Sequence, residues 1–195
     1  MGTPRPITVQ PSNGSNGVQW VLCDVTASNC GGPGANPPTP YPVIDLPKNK
    51  VGYDFTVTIK NAAGISFAPA NKPTTYPQTG DAALWVMMGQ GQHPSHQGNN
   101  SNGQIVNPQL TDATTLTFTD LNHGQGASWL SYRLNFVKNG SQAVNPIDPD
   151  IKNGGSAFWG AAPGTSSAMM TAAVTAAIVA LVVAAIVAYI VARRR

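Results

Sequence analysis

Glutamate is absent from this chain of 195 residues, and all eight acidic side chains are aspartate. Aspartate competes with the backbone for hydrogen bonds and suits turns, whereas glutamate is a good helix former, so its absence argues for a body of strands and loops. Charge is scarce as well. Asp, Lys and Arg make up only 10% of the residues, which leaves Asn, Gln, Ser and Thr to cover a surface of extracellular rather than cytosolic character. The formal charge of +3 comes wholly from Arg193, Arg194 and Arg195, because the other eight basic residues balance the eight aspartates and stand singly along the chain. Phosphate neutralisation needs a clustered basic stripe, so nucleic acid is not an expected partner.

Catalytic constellations are missing too. Without Glu, an acid/base pair has to be two Asp, and the nearest, Asp148 and Asp150 in "IDPDIKN", read first as a turn. Asp120, His123 and the many serines lack a nucleophile elbow or any other supporting context, and there is no phosphate loop. No enzymatic activity is expected.

What is present is turn chemistry, with 20 Gly and 17 Pro, and short runs of period two. In "YDFTVTIKN" (Tyr53 to Asn61), Tyr53, Phe55, Val57 and Ile59 alternate with Asp54, Thr56, Thr58 and Lys60, the pattern of a half-buried antiparallel strand. The same reading picks out residues 7–10, 18–25, 64–69, 82–89, 114–121, 129–140 and 145–153, the last as a further candidate. Seven or eight short strands with no amphipathic helix predict an all-β body, an antiparallel Ig-like sandwich over residues 1–152. Residues 30–50 hold five prolines before Ile44 and read as a long loop. Residues 89–104 are a second loop, rich in Gly, Asn and Gln, and residues 153–167 form a Gly/Ser/Pro linker.

The chain closes on "TAAVTAAIVALVVAAIVAYIVARRR". From Ala168 to Ala192 there is no charge, and a helix over those 25 residues reaches roughly 37 Å against a hydrocarbon core of about 30 Å. A single transmembrane helix at 168–192 is predicted, with a basic tail at 193–195 and the lipid bilayer as partner. Ala172, Ala176, Ala180, Ala184, Ala188 and Ala192 recur every four residues, drawing a ridge of small side chains down one face. Such ridges let helices approach closely in lipid, so a homo-oligomer or pairing with another membrane helix is expected.

The positive-inside rule puts the arginines in the cytoplasm and the body outside. "MGTPRPITVQ" has no apolar segment of a leader, so two accounts stay open. Either a leader has been removed, or the chain is tail-anchored with its body in the cytosol.

Two small constellations remain. Cys23 and Cys30 flank the turn-forming "DVTASN", and a disulfide between them is expected outside the reducing cytosol. His93 and His96 form H-P-S-H in the second loop, with Met87 and Met88 just before and His123 further on. Imidazole with thioether suits copper, and zinc is the other candidate, although no resident cofactor is expected. Pro94 and the neighbouring glycines make this a floppy loop, and no carboxylate is expected nearby to orient the rings. Trp85 or Trp129, if exposed, offers a carbohydrate-facing alternative.

"LNFVKNGSQAVNPIDPDIKN" (Leu134 to Asn153), a strand, a turn and a D-P-x-I-x-N ending, resembles the close of the small bacterial DP-EP family of β-rich proteins. The likeness spans 20 residues and lacks the Glu-Pro motif; it implies a fold and no activity. The spacer, apolar helix and Arg cluster together resemble the C-terminal sorting tails of sortase and PEP-CTERM substrates, though "AAPGTSS" carries neither processing motif. The sequence thus predicts a single-pass membrane-anchored β-domain with a structural or interaction role. A surface metal- or carbohydrate-binding module is the alternative.

Overall fold

The computed structural model describes residues 1–14, 17–69, 75–122 and 128–154. Most of the expected linker, the predicted transmembrane helix with its alanine ridge, the basic tail and His123 lie outside the described residues. Among those described, no helix is long and apolar enough to cross a membrane.

The described chain is all-β. Its strands are β1 (Thr3–Gly14), β2 (Gly17–Asp24), β3 (Asn29–Gly31), β4 (Ile44–Leu46), β5 (Tyr53–Ile59), β6 (Ile65–Phe67), β7 (Gln78–Thr79), β8 (Leu84–Met88), β9 (Asn99–Asn100), β10 (Ile105–Asp112), β11 (Thr115–Asp120), β12 (Ser128–Lys138), β13 (Gln142–Ile147) and β14 (Asp150–Asn153). One sheet runs in the order β3, β2, β1, β5, β11, β10, β7. The other runs β4, β14, β12, β8, β9, with β13 and β6 also paired to β12.

The period of two in β5 is realised as written: Tyr53, Phe55, Val57 and Ile59 are buried while Asp54, Thr56 and Thr58 face outward. Val9 and Leu22 from the first sheet and Leu130 and Leu134 from the second join them in one core. Rings bind the layers across that core. Trp20 of β2 stacks on Phe136 of β12 at 4.0 Å between centroids, and Phe118 of β11 meets Tyr132 of β12 edge-on at 6.3 Å.

The expectation of purely antiparallel sheets is corrected. β1 with β5, β14 with β4, and β8 with β9 all pair parallel, so both sheets are mixed. Alternation encodes which face a side chain takes and says nothing of strand direction. After β3 the chain visits the second sheet at β4 and re-enters the first beside β1, running the same way. Pro4 and Pro6 are tolerated in β1 because the β2 ladder starts only at Ile7, so their missing N–H groups cost that edge nothing.

β12 is the spine of the second sheet. Along one edge it pairs β14 over Ser128–Ser131 and then β13 over Leu134–Lys138; along the other it pairs β8 and then β6. The β12–β13 ladder shifts register between Leu134 and Phe136, whereas Asp148 and Pro149 continue the register that runs from Ile147 to Asp150, and the Tyr132 N–H donates to the Pro149 carbonyl at 3.1 Å. Asp148 alternates with buried Ile147 and Pro149 and is half-buried on the other face.

Candidate functional site

The outer face of β12 and the loop from Gly89 to Gly98 form the most elaborate polar surface among the described residues. Ser131 and Asp150 are direct partners in the β12–β14 ladder, and Ser131 Oγ lies 2.5 Å from Asp150 Oδ1 and 2.9 Å from the Gly89 carbonyl oxygen. Both are acceptors for its single proton. The Gln92 N–H donates back to Ser131 Oγ at 2.9 Å, and the Gly91 N–H reaches Asp150 Oδ2 at 3.2 Å. One hydroxyl and one carboxylate thereby hold both ends of the glycine-rich turn.

Two residues further along, Arg133 anchors the rest of the loop. Its guanidinium carbon sits 5.2 Å from the ring centroid of Trp85, which faces it directly across the β12–β8 ladder. Nε donates to Asn135 Oδ1 at 3.1 Å, and NH1 donates to the Pro94 carbonyl at 3.3 Å. Pro94 itself is buried. The expectation that no carboxylate lies near the histidines is corrected at His93. His93 Nδ1 lies 3.6 Å from Asp148 Oδ2, and Arg133 Nε lies 4.0 Å from Asp148 Oδ1. Burial pushes the Asp148 carboxyl above the usual carboxylate range, against the pull of Arg133 and His93. The same carboxylate helps raise Tyr41 to about 12, after burial of the phenol itself.

The arrangement sets an exposed imidazole near a carboxylate, beside a stacked guanidinium. His96 stands exposed on the same loop, and among the described residues no three His, Cys, Asp or Glu side chains converge as a metal set. Met88 Sδ is instead approached by Gln104 Nε2 at 3.8 Å. One face of Trp85 is covered by Arg133, and Trp129 is half-buried, so neither indole stands free on the surface.

Cys23 and Cys30 are joined by a disulfide. They face each other in the β2–β3 ladder, and the turn between them is capped by Asp24 Oδ1, which accepts the Thr26 and Ala27 N–H groups at 3.1 and 3.3 Å. Asp24 is itself buried against Arg5, whose NH2 reaches Asp24 Oδ2 at 2.5 Å and the Asp45 carbonyl at 3.0 Å.

Sequence reasoning passed over Arg133, Trp85 and Asp148 as a group. The signal was present only in part: in "WLSYRLNF" the set alternating with the core residues is Ser131, Arg133 and Asn135, an outward-facing polar row. No protein-family description matches the chain, and a search of curated proteins finds no relative.

Proposed function

We propose that this chain is a membrane-anchored display module: a two-layer β-domain of Ig-like character, held on one C-terminal transmembrane helix and serving a structural or interaction role. The observation that carries the reading is the uncharged stretch from Ala168 to Ala192, closed by three arginines, behind a body whose surface is almost without charge clusters. The Cys23–Cys30 disulfide supports a body outside the cytosol, since such bonds persist in oxidising compartments. That agrees with the orientation in which the arginines stay inside.

Self-assembly in this reading runs through the helix rather than the sheets. The strands that end the two sheet orders, β3, β7, β4 and β9, have 3, 2, 3 and 2 residues. Those ends offer little for another chain to extend, and the longer edge is β13, 6 residues paired with β12 alone among the described strands. The alanine ridge from Ala172 to Ala192 supplies the self-complementary surface of this reading. The resemblance of Leu134–Asn153 to the DP-EP family fits such a module without assigning it a ligand. A second reading, a ligand-binding surface at His93, Asp148 and Arg133, is favoured by the anchoring of that loop and keeps copper or zinc at His93 and His96 as a candidate.

Fractionation of cells expressing the chain tests the proposal. The whole chain is expected in the membrane fraction and resistant to alkaline extraction, while a chain ending at residue 165 is released. Equal release of both would contradict an anchor.

A further inference from the structure

Asp120 closes β11 in one sheet and Asn153 closes β14 in the other, and both are fully buried, at 0% exposure. Asn153 Nδ2 bridges the layers, donating to Asp120 Oδ1 at 3.2 Å and to Gln104 Oε1 at 2.8 Å. Asp120 Oδ1 also accepts the Asn122 N–H at 2.7 Å. Two atoms of the pair then remain without a hydrogen bond: Asp120 Oδ2 and Asn153 Oδ1. Ser128, the ladder partner of Asn153, does not relieve the shortfall, because its Oγ makes no hydrogen bond either.

Both orphan atoms are acceptors when the carboxyl is ionised, so neither can satisfy the other. A single proton changes that. A carboxylic acid and a primary amide already joined by one N–H···O bond close a ring when the acid O–H donates to the amide oxygen, and both shortfalls vanish together. We propose that Asp120 and Asn153 share one proton as a neutral acid–amide pair that clasps the two sheets together, and that loss of this proton loosens the clasp at the ends of β11 and β14.

The surroundings favour the proton. Burial raises the Asp120 carboxyl to about 6, against the opposing hydrogen bonds from Asn122 and Asn153. Among the described residues the ionisable groups that face it are phenols: Tyr53 from β5, its partner across the ladder, and Tyr132 from β12, both raised above their ordinary range and neutral near pH 6. Arg5, which bears on both phenols, is committed to Asp24 and the Asp45 carbonyl. Asp24 and Asp150 bear on Tyr132, and Asp45 bears on Tyr53. A hard cation at the two oxygens is disfavoured, because it wants six or more oxygen ligands and Asp120 Oδ1 already faces two N–H donors.

The sign of the effect follows from linkage. With a folded value of about 6 above the ordinary 3.8, the native state holds the proton more tightly, so the stabilisation is full at low pH and is lost as pH rises through about 6. Between pH 5 and pH 8 the folding equilibrium constant should fall on the order of tenfold from this group alone.

The test is a carbon-13 titration of the Asp120 carboxyl in the full chain in detergent, with stability measured at pH 5 and pH 8. The expected result is a midpoint near 6 and greater stability at pH 5. Asp120→Asn, whose amide N–H replaces the acid O–H, should lose the roughly tenfold difference between pH 5 and pH 8 that this group contributes. A midpoint near 4, or unchanged pH dependence in Asp120→Asn, would overturn the proposal. So would stabilisation by added calcium at pH 8 with a shift of the Asp120 signal, which would assign the oxygens to a cation.

Discussion

Arg133 stacks on Trp85 while its own Nε and NH1 donate to Asn135 Oδ1 and the Pro94 carbonyl, so one planar group joins strand, neighbouring strand and loop. A guanidinium can stack with its face and donate from its rim at once; an ammonium cannot. Arg133→Ala should therefore destabilise the domain by about 1 to 3 kcal/mol, the worth of a charge-assisted bond and a half-exposed cation–π contact. Amide hydrogen exchange should quicken across residues 89–98, and Arg133→Lys should restore little of the protection. Unchanged exchange in that loop would show that Arg133 does not hold it.

Trp20 and Phe136 are the second relationship open to direct measurement. Their rings stack across the layers, and Trp20 Nε1 donates to the Asn145 carbonyl at 2.7 Å, fixing β13 against β2. Phe136→Ala should cost about 3 to 5 kcal/mol through lost burial and a cavity. Trp20→Phe keeps a ring but leaves that carbonyl short of a partner, so a loss of about 1 to 3 kcal/mol is expected in denaturant unfolding. A Trp20→Phe variant as stable as the parent would mean that the hydrogen bond contributes nothing beyond the ring.

The Cys23–Cys30 disulfide closes a short loop, with a sequence separation of 7. Chain-entropy reasoning assigns a loop of that size about 2 to 3 kcal/mol. The double substitution Cys23→Ala with Cys30→Ala should lower the unfolding free energy by about that amount and leave the fold unchanged. A chain recovered from cells with both thiols free would argue against the body lying outside the cytosol.

Ala180 and Ala184 lie at the middle of the alanine ridge. If the helices pack there, Ala180→Leu with Ala184→Leu should abolish association in a bilayer or detergent assay, because branched side chains hold the backbones apart. Conversion of Val183 to Leu, off the ridge, should have little effect. Association that survives the double leucine variant would move the interface elsewhere.

Which parts of this molecule could be read from its sequence follows from the range over which each signal acts. The strands with a long, clean period of two, β5 and β12, stand out because half their residues must enter the core. β10 escaped notice because Asn107, at φ 53°, and Pro108 interrupt it and shift the ladder register between Val106 and Gln109. Edge strands of two or three residues are too short to show any period. Parallel pairing was hidden for a different reason, since the pattern along one strand carries no record of its neighbour's direction. The site was harder still. His93 meets Asp148, and Asp120 meets Asn153, only after strands distant in the chain are laid side by side. The disulfide was legible because its two halves flank one turn, Asp24 to Asn29, and the ladder sets them opposite each other.

The central claim is that the β-domain stands outside the membrane on a helix whose arginines remain within. Protease treatment of intact cells, followed by detection of epitopes at residue 1 and after Arg195, tests it most directly. The account predicts digestion of the body from outside with the C-terminal epitope protected until the cells are opened. A body protected in intact cells, with the C-terminal epitope cleaved, would contradict it.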